Sequence, residues 1–286
     1  MKARAFAYVR PATVAEALDA FASTAGDASY IAGGQSLVPA LALRLQAPER
    51  LIDIAHIATL AGIGLDGAHL RIGALTRHAE LIAHPLVARH APLLAEAAPH
   101  IAHPAIRNKG TIGGSVALAD PAAELPAMML AAGALIEIAG PDGTRQVAAD
   151  DFFLDLYQTA LEPGELVTAV LLPVARADER FAFDELARRR GDYALVGAGI
   201  RARLADGAVQ EIRIAFLSVA ATPVRARAAE AALTGTALDA ATIARAQAAL
   251  DSDLDPPDEA HLPATTRRHL ARVLLGRLVG RIGAMA

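Results

Sequence analysis

The chain has 286 residues, enough for about two average domains, and its 54% hydrophobic and 20% charged content describes a globular protein, excluding a small peptide or a disordered tail. Lys+Arg 27 against Asp+Glu 31 gives a net charge of -4, so no overall cationic field is available to hold nucleic acid or anionic lipid. With no cysteine, the chain has no disulfide, thiolate nucleophile, cysteine zinc site or iron–sulfur cluster of its own, and the absence of a signal-peptide core or a span-length apolar run predicts a cytoplasmic protein without a membrane span.

In chain order, residues 6–9 read as a strand. Thr13-Val14-Ala15-Glu16 is a capping box in which Thr13 and Glu16 satisfy each other's backbone donors, so a helix begins at Val14 and stops at Gly26. Residues 29–32 form a strand that runs into Gly33-Gly34-Gln35-Ser36, followed by a helix over 37–45. A strand over 51–54 precedes a hairpin of 62–65 and 70–73 about Asp66-Gly67. Helices follow near Ala79 and over 86–97. The proline-interrupted segment 100–106 is expected as loop, leading to a second glycine turn, Thr111-Ile112-Gly113-Gly114-Ser115, and a helix over 122–132. Strands 134–139 and 144–147 flank Pro141-Asp142-Gly143. Composition shifts after Pro173: residues 181–217 hold three strands, two joined through Asp206-Gly207, and helices cover 226–233, 240–250 and 265–282. Three antiparallel strands followed by three helices make a separate α+β domain, with a boundary near 174–180.

Gly33-Gly34-Gln35-Ser36 and Gly113-Gly114-Ser115 share adjacent glycines followed by a hydroxyl. Glycine permits close backbone approach and positive φ, so successive N–H groups converge on an anion, and two such loops suit the two phosphates of a dinucleotide. Tight turns with glycines for packing are the plain alternative, and the residues by themselves do not identify a ligand. Neither block matches Gly-x-Gly-x-x-Gly or a phosphate loop ending in Gly-Lys-Ser/Thr, which disfavours an ordinary Rossmann dehydrogenase or P-loop ATPase. His100 and His103 are three apart, but Pro104 follows and no third ligand is evident, so no metal site is assigned. Arg188-Arg189-Arg190 is a solvated turn or interface patch, with a ligand role as the alternative. No Gly-x-Ser-x-Gly elbow and no suggestive carboxylate pair exist, so no catalytic residue is assigned; the chain reads as the holder of a cofactor that carries the chemistry.

Ala32-Gly33-Gly34-Gln35-Ser36, the run from His103 through Arg107-Asn108-Lys109-Gly110 to Ser115, and Asp120-Pro121-Ala122-Ala123-Glu124-Leu125-Pro126 together resemble the FAD-binding medium subunit of the molybdenum hydroxylases. That family includes bacterial carbon monoxide dehydrogenase and multi-subunit xanthine dehydrogenase. Leu51-Ile52-Asp53-Ile54, Ile72-Gly73-Ala74-Leu75-Thr76 and Arg190-Gly191-Asp192-Tyr193-Ala194 also fit, and the similarity covers nearly the whole chain. The resemblance implies an α+β protein. Residues 1–175 would form an FAD domain of the vanillyl-alcohol-oxidase (PCMH) type, two α/β subdomains with FAD between them, and 176–286 a C-terminal domain of a three-stranded antiparallel sheet with three helices. It further implies that Ala32, Gly33, Gly34, Gln35 and Ser36, with Thr111, Ile112, Gly113, Gly114 and Ser115, bind the pyrophosphate region, that Glu124 accepts hydrogen bonds from FAD hydroxyls, that Tyr193 lies by the isoalloxazine ring, and that Leu166 or Val167 is an apolar neighbour. Ser115 stands where asparagine is usual and removes a longer amide donor.

The implied function is an electron relay. A large subunit carries the molybdenum cofactor, a small subunit carries two [2Fe–2S] clusters, and FAD passes their electrons to NAD, a quinone or oxygen, in a heterohexamer of two copies of each subunit. The competing readings are a self-sufficient flavin oxidase or reductase and a non-catalytic nucleotide-binding scaffold.

Overall fold

The computed structural model describes residues 2–285. Three short strands, β1 (Ala7–Val9), β2 (Ala28–Ile31) and β3 (Arg50–Asp53), pair in parallel in the order β1-β3-β2. Parallel neighbours need crossovers, which α1 (Val14–Ala22) and α2 (Leu37–Leu43) supply. Thr13 caps α1 by accepting from the Glu16 amide at 3.1 Å, but the Glu16 carboxylate accepts from the Ala12 amide at 2.8 Å, so the box closes one residue before the cap. Ala17, Ile52, Ile54, Ile57 and Leu60 form a small core with Leu75 and Leu166 of the neighbouring unit.

The expected hairpin is β4 (Ile63–Asp66) and β5 (His69–Gly73), with Gly67 at φ 56. A helical run follows: α3 (His78–Ala83), α4 (Pro85–His90), α5 (Pro92–Ala97), α6 (Pro104–Arg107), α7 (Ile112–Leu118) and α8 (Glu124–Ala132). Three expectations change here. The single helix over 86–97 is two, because the ring of Pro92 drives Ala91 out of the helical region, to φ -137 and ψ 59, and Pro92 then opens α5 at the first helical position. In the same way Pro104 starts α6 inside the segment expected as loop. Gly113 and Gly114 lie in the first turn of α7 and not in a free turn.

After β6 (Leu135–Gly140) and β7 (Gly143–Ala148) come α9 (Ala149–Phe152), the small hairpin β8 (Phe153–Asp155) and β9 (Gln158–Thr159), and β10 (Leu166–Pro173), to which the sequence pattern assigns no element. β10 is nevertheless the centre of a five-stranded sheet, β4-β5-β10-β6-β7, antiparallel at every pairing. Buried from Leu166 to Leu172, it shows no alternation to read, because both of its faces are covered. Of the two α/β subdomains that the resemblance implies, the first has a parallel sheet and the second an antiparallel one.

The C-terminal sheet, β11 (Glu179–Ala187), β12 (Ala194–Ala205), β13 (Ala208–Leu217) and β14 (Val224–Arg225), is antiparallel in chain order. It has four strands where three are expected, since the two residues of β14 are too few to show a period. Helices α10 (Arg227–Leu233), α11 (Ala240–Asp253) and α12 (Ala264–Ala284) form a core with this sheet through Ile200, Ile214, Phe216, Leu250, Leu274 and Leu278. Strands β12 and β13 also lie against α8, whose residues from Leu125 to Ala132 are all buried, as in a helix enclosed on every side. Arg213 and Arg201 donate to the Leu130 and Ala132 carbonyls at 2.9 and 2.7 Å, satisfying the negative end of α8. Asp150 of α9 adds a second tie through Arg213, Arg225 and Arg227, at 2.5, 3.2 and 3.0 Å.

Two glycines give opposite outcomes. A Cβ on Gly73 would stand 2.5 Å from the Leu60 carbonyl oxygen and 2.8 Å from its carbon, whereas one on Gly280 meets nothing within 4 Å. Gly73→Ala should destabilise by about 2 kcal/mol, and Gly280→Ala should stabilise by about 0.5–1 kcal/mol by removing a helical glycine. Urea unfolding midpoints check both signs.

Candidate functional site

The parallel sheet, the five-stranded sheet and the C-terminal domain meet around a cleft of about 580 Å³. Ala32 to Ser36 enter it from the end of β2, Leu166 and Val167 from the start of β10, Glu124 from the first turn of α8, and Tyr193 from the turn before β12. Leu166 belongs to the small core of the parallel sheet and Val167 to the large central core that includes Leu70, Ile72, Leu125 and Ile136, so this pair sits on the seam between them. Among the sequence-derived candidates Ile112 alone does not line the cleft; it is fully buried in the central core behind it.

The two glycine blocks share a sequence pattern but not a design. Gly34 has φ +70, a left-handed conformation that glycine tolerates without cost. Gly33 is needed for a different reason: a Cβ there would collide with the Lys109 carbonyl oxygen and come within 2.9 Å of the Gly110 Cα, so its bare backbone packs against the segment leading to the second block. Among the described residues, the backbone N–H groups of Gly33, Gly34, Gln35, Ser36 and Leu37 donate to no protein acceptor, and the Gln35 side chain turns back onto the Gly33 carbonyl at 2.8 Å. Five successive amides without a protein acceptor, on residues that line a cleft, leave donors available to an anion bound there.

In the second block the amides are already used. Ile112 donates to the Thr76 carbonyl at 3.0 Å, Gly113 to the Ala74 carbonyl at 2.9 Å, Gly114 to the Thr111 hydroxyl at 3.2 Å and Ser115 to the Thr111 carbonyl at 3.0 Å. A Cβ on Gly113 would collide with that of Ala74 and approach its Cα to 2.8 Å, so this glycine serves the packing of α7 on the loop after β5. What the block offers the cleft is the half-buried Ser115 hydroxyl and the exposed flank of Gly114.

Electrostatics sharpen the remaining walls. Burial pushes the Glu124 carboxyl up to about 7, with the Glu185 carboxylate adding to the rise and His100 opposing it. The residue Tyr193 is 71% exposed, yet its hydroxyl end is crowded; that burial first, and the Asp120 carboxylate next, push it up to about 12. Asp120, which orders the turn before α8 by accepting from the Ala122 amide at 2.9 Å, is a cleft residue that sequence reasoning missed. So is His78, 6% exposed, whose two ring nitrogens are buried without a hydrogen-bond partner; burial pushes its pKa down to about 4, so the imidazole in this part of the cleft wall is neutral at neutral pH. No local signal marks it. His100 and His103 do not converge: His100 pairs with Glu185 at 3.3 Å, His103 packs against Gly191, and no metal-binding cluster occurs among the described residues. Arg188, Arg189 and Arg190 form an exposed turn, with Arg188 donating to the His261 carbonyl at 3.3 Å.

Residues 4–175 match a family model described as the FAD binding domain in molybdopterin dehydrogenase, and residues 181–282 match the CO dehydrogenase flavoprotein C-terminal domain. The chain is similar to the carbon monoxide dehydrogenase medium chain of Afipia carboxidovorans, with 39% identity over 98% of each chain. Among solved structures it is similar to a carbon monoxide dehydrogenase from Hydrogenophaga pseudoflava lacking the Mo-pyranopterin moiety, with TM-score 0.97 and 39% identity over 99% of each chain. It is also similar to quinoline 2-oxidoreductase from Pseudomonas putida 86, with TM-score 0.95 and 37% identity over 100% of this chain and 99% of that one.

The buried imidazole has a thermodynamic consequence. Because the folded pKa of His78 lies below its unfolded value of 6.5, its contribution to stability is fully present above that pH and is lost as pH falls toward 4. Between pH 7.5 and 4.5 the wild type should lose about 2.5 kcal/mol more than His78→Leu, read from urea midpoints at the two pH values; parallel profiles would contradict the assignment.

Proposed function

The chain belongs to the FAD-binding medium subunits of the molybdenum-containing dehydrogenases, and on that basis we propose that it relays electrons from iron–sulfur clusters on a partner through FAD to an external acceptor. It is the flavoprotein subunit of an oxidoreductase, and FAD is its cofactor. The residues fit that group. The observation that carries the reading is the run of five unpartnered amides from Gly33 to Leu37 at the cleft that Glu124 and Tyr193 also line.

In this reading those amides, with the Ser36 and Ser115 hydroxyls, hold the pyrophosphate and neighbouring groups. Ala32, Gln35, Thr111, Gly113 and Gly114 shape the walls, and Ile112 supports them from behind. Glu124 accepts from FAD hydroxyls, Leu166 and Val167 give apolar contact, and Tyr193 covers the ring system. When bound, FAD supplies the redox chemistry, accepting electrons singly and releasing them singly or as a pair. The protein's part is to bind, to orient and to exclude water, with residues 1–175 as the FAD domain of two subdomains and 176–286 as its cover.

A chain without cysteine takes its electrons from clusters housed elsewhere, which supports a small subunit with two [2Fe–2S] clusters and a large molybdenum-cofactor subunit as partners. The acceptor is NAD, a quinone or oxygen, the assembly a cytoplasmic heterohexamer, and substrate choice a property of the molybdenum subunit. No helix among the described residues is long and apolar enough to cross a membrane.

The test is the visible spectrum after FAD loading and desalting, for the chain alone and co-expressed with partner subunits. Near-stoichiometric flavin should be retained, and anaerobic addition of the reduced cluster protein should bleach it. Gly34→Val, which forces a branched side chain into the left-handed region, should weaken FAD binding by at least about tenfold, or about 1.4 kcal/mol. Efficient turnover of a small substrate by the lone chain would contradict the relay.

A further inference from the structure

Three features that FAD binding leaves unused adjoin the cleft. The first is the β8–β9 hairpin. Phe152, fully buried and edge-on to Phe153 at 5.2 Å, pins its base, and the Ala160 amide donates to the Phe152 carbonyl at 2.8 Å. Beyond that anchor the hairpin holds Leu154, Leu156 and Tyr157 out to solvent, 62%, 50% and 55% exposed. Large apolar side chains grouped in this way, and not scattered singly, mark a contact surface.

The second is the backbone of the hairpin tip. Asp155 pairs with Gln158, so Leu156 and Tyr157 make the turn, and Tyr157 has φ 54, in the left-handed region where hairpin turns normally carry glycine or asparagine. The tyrosine is held there against backbone strain, and strain of this kind gathers at binding sites.

The third is the turn before β12. Arg188, Arg189 and Arg190 are exposed, none is ion-paired among the described residues, and three arginines against Asp192 leave the turn cationic on a chain of net charge -4. Hairpin and turn adjoin through the α7–α8 junction: β9 packs on α7, which leads to Asp120, and Leu161, just past β9, lines the cleft together with Asp120 and the residues that end the arginine turn. The Asp120 carboxylate accordingly acts on the hydroxyls of both Tyr157 and Tyr193.

We propose that the hairpin tip, Leu154, Leu156 and Tyr157, and the arginine turn, Arg188 to Arg190, form one docking surface for the iron–sulfur protein that delivers electrons to this chain, met by a face of that protein with acidic groups around an apolar centre. Aliphatic and aromatic groups bordered by arginines have the composition of a protein–protein contact. Presented on a hairpin and a turn, and not gathered in a cavity, they suit a broad macromolecular face and not a small anion. The surface flanks the cleft, so a protein seated on it lies beside the group bound there, the position that an electron donor requires. The proposal rests on the relay reading above.

The experiment uses the complex assembled by co-expressing the full chain with its iron–sulfur and molybdenum subunits. A photoreactive benzoylphenylalanine in place of Leu154 should capture the iron–sulfur subunit. Leu154→Ser with Leu156→Ser, and separately Arg188→Glu, Arg189→Glu and Arg190→Glu together, should each raise the dissociation constant read on dilution by about tenfold or more, and the arginine reversal should also abolish its dependence on salt. Flavin retention by these chains should match the wild type. Tyr157→Gly separates docking from folding: it should raise the urea midpoint of the chain by relieving the turn and yet weaken the complex, whereas a tyrosine that serves only the fold would lower the midpoint. Capture of the molybdenum subunit or of a second copy of this chain, or unchanged dissociation in the variants, would overturn the proposal and leave the cofactor assignment intact. Capture of the iron–sulfur subunit with the expected losses, by a chain that retains no flavin, supports the surface and overturns the relay reading instead.

Discussion

Helix α8 has no face turned to water: Leu125 to Ala132 are buried between the central sheet and strands β12 and β13, and the helix carries Glu124 at the end that reaches the cleft. Each large apolar side chain so enclosed stabilises by about 1.5–3 kcal/mol, and the two arginines that donate to its last carbonyls come from the C-terminal sheet. Separating the two domains would therefore strip apolar cover and hydrogen bonds from the same helix. The position of Asp120, Glu124 and Tyr193 around one cleft follows, because the helix fixes the first two and the sheet packed on it brings the third.

The cleft divides its labour between two segments that look alike in sequence. The Ile112 and Gly113 amides bind the 74–76 backbone and those of Gly114 and Ser115 bind Thr111, which makes α7 a fixed platform, whereas the 33–37 amides remain free. Gly33 joins the two by letting the first loop lie directly on Lys109 and Gly110. Binding capacity for an anion is thus concentrated at one end. The titratable groups, Asp120, Glu124 and Tyr193, lie elsewhere in the same cleft, an arrangement suited to a cofactor whose charged tether and reactive ring need different surroundings.

Most of the elements were legible because their signals are local: the Thr13 cap, the Asp66-Gly67 hairpin, the paired strands about Pro141-Asp142-Gly143 and the three C-terminal helices. Prolines misled, since Pro92 passes unmarked inside one expected helix and Pro104 reads as an interruption, whereas both act as helix starts. β10 escaped because a strand covered on both faces has no alternation, and β14 because two residues have no period. In the site, doubled glycines marked both blocks, but not their purpose, which depends on Lys109 and Ala74, residues distant in sequence. His78 and Asp120 become visible only when burial and neighbours are known. The identity of the ligand came from the ordered set of motifs across the chain and not from either glycine block.

The central claim is that the free amides of the first loop are the anion-binding part of an FAD site. Residue-resolved hydrogen exchange with and without FAD tests it most directly. The account predicts that FAD slows exchange strongly at residues 33–37 while 112–115, already bonded within the protein, change little. Unchanged exchange at 33–37 in a chain that binds FAD, or protection gained mainly at 112–115, would contradict it.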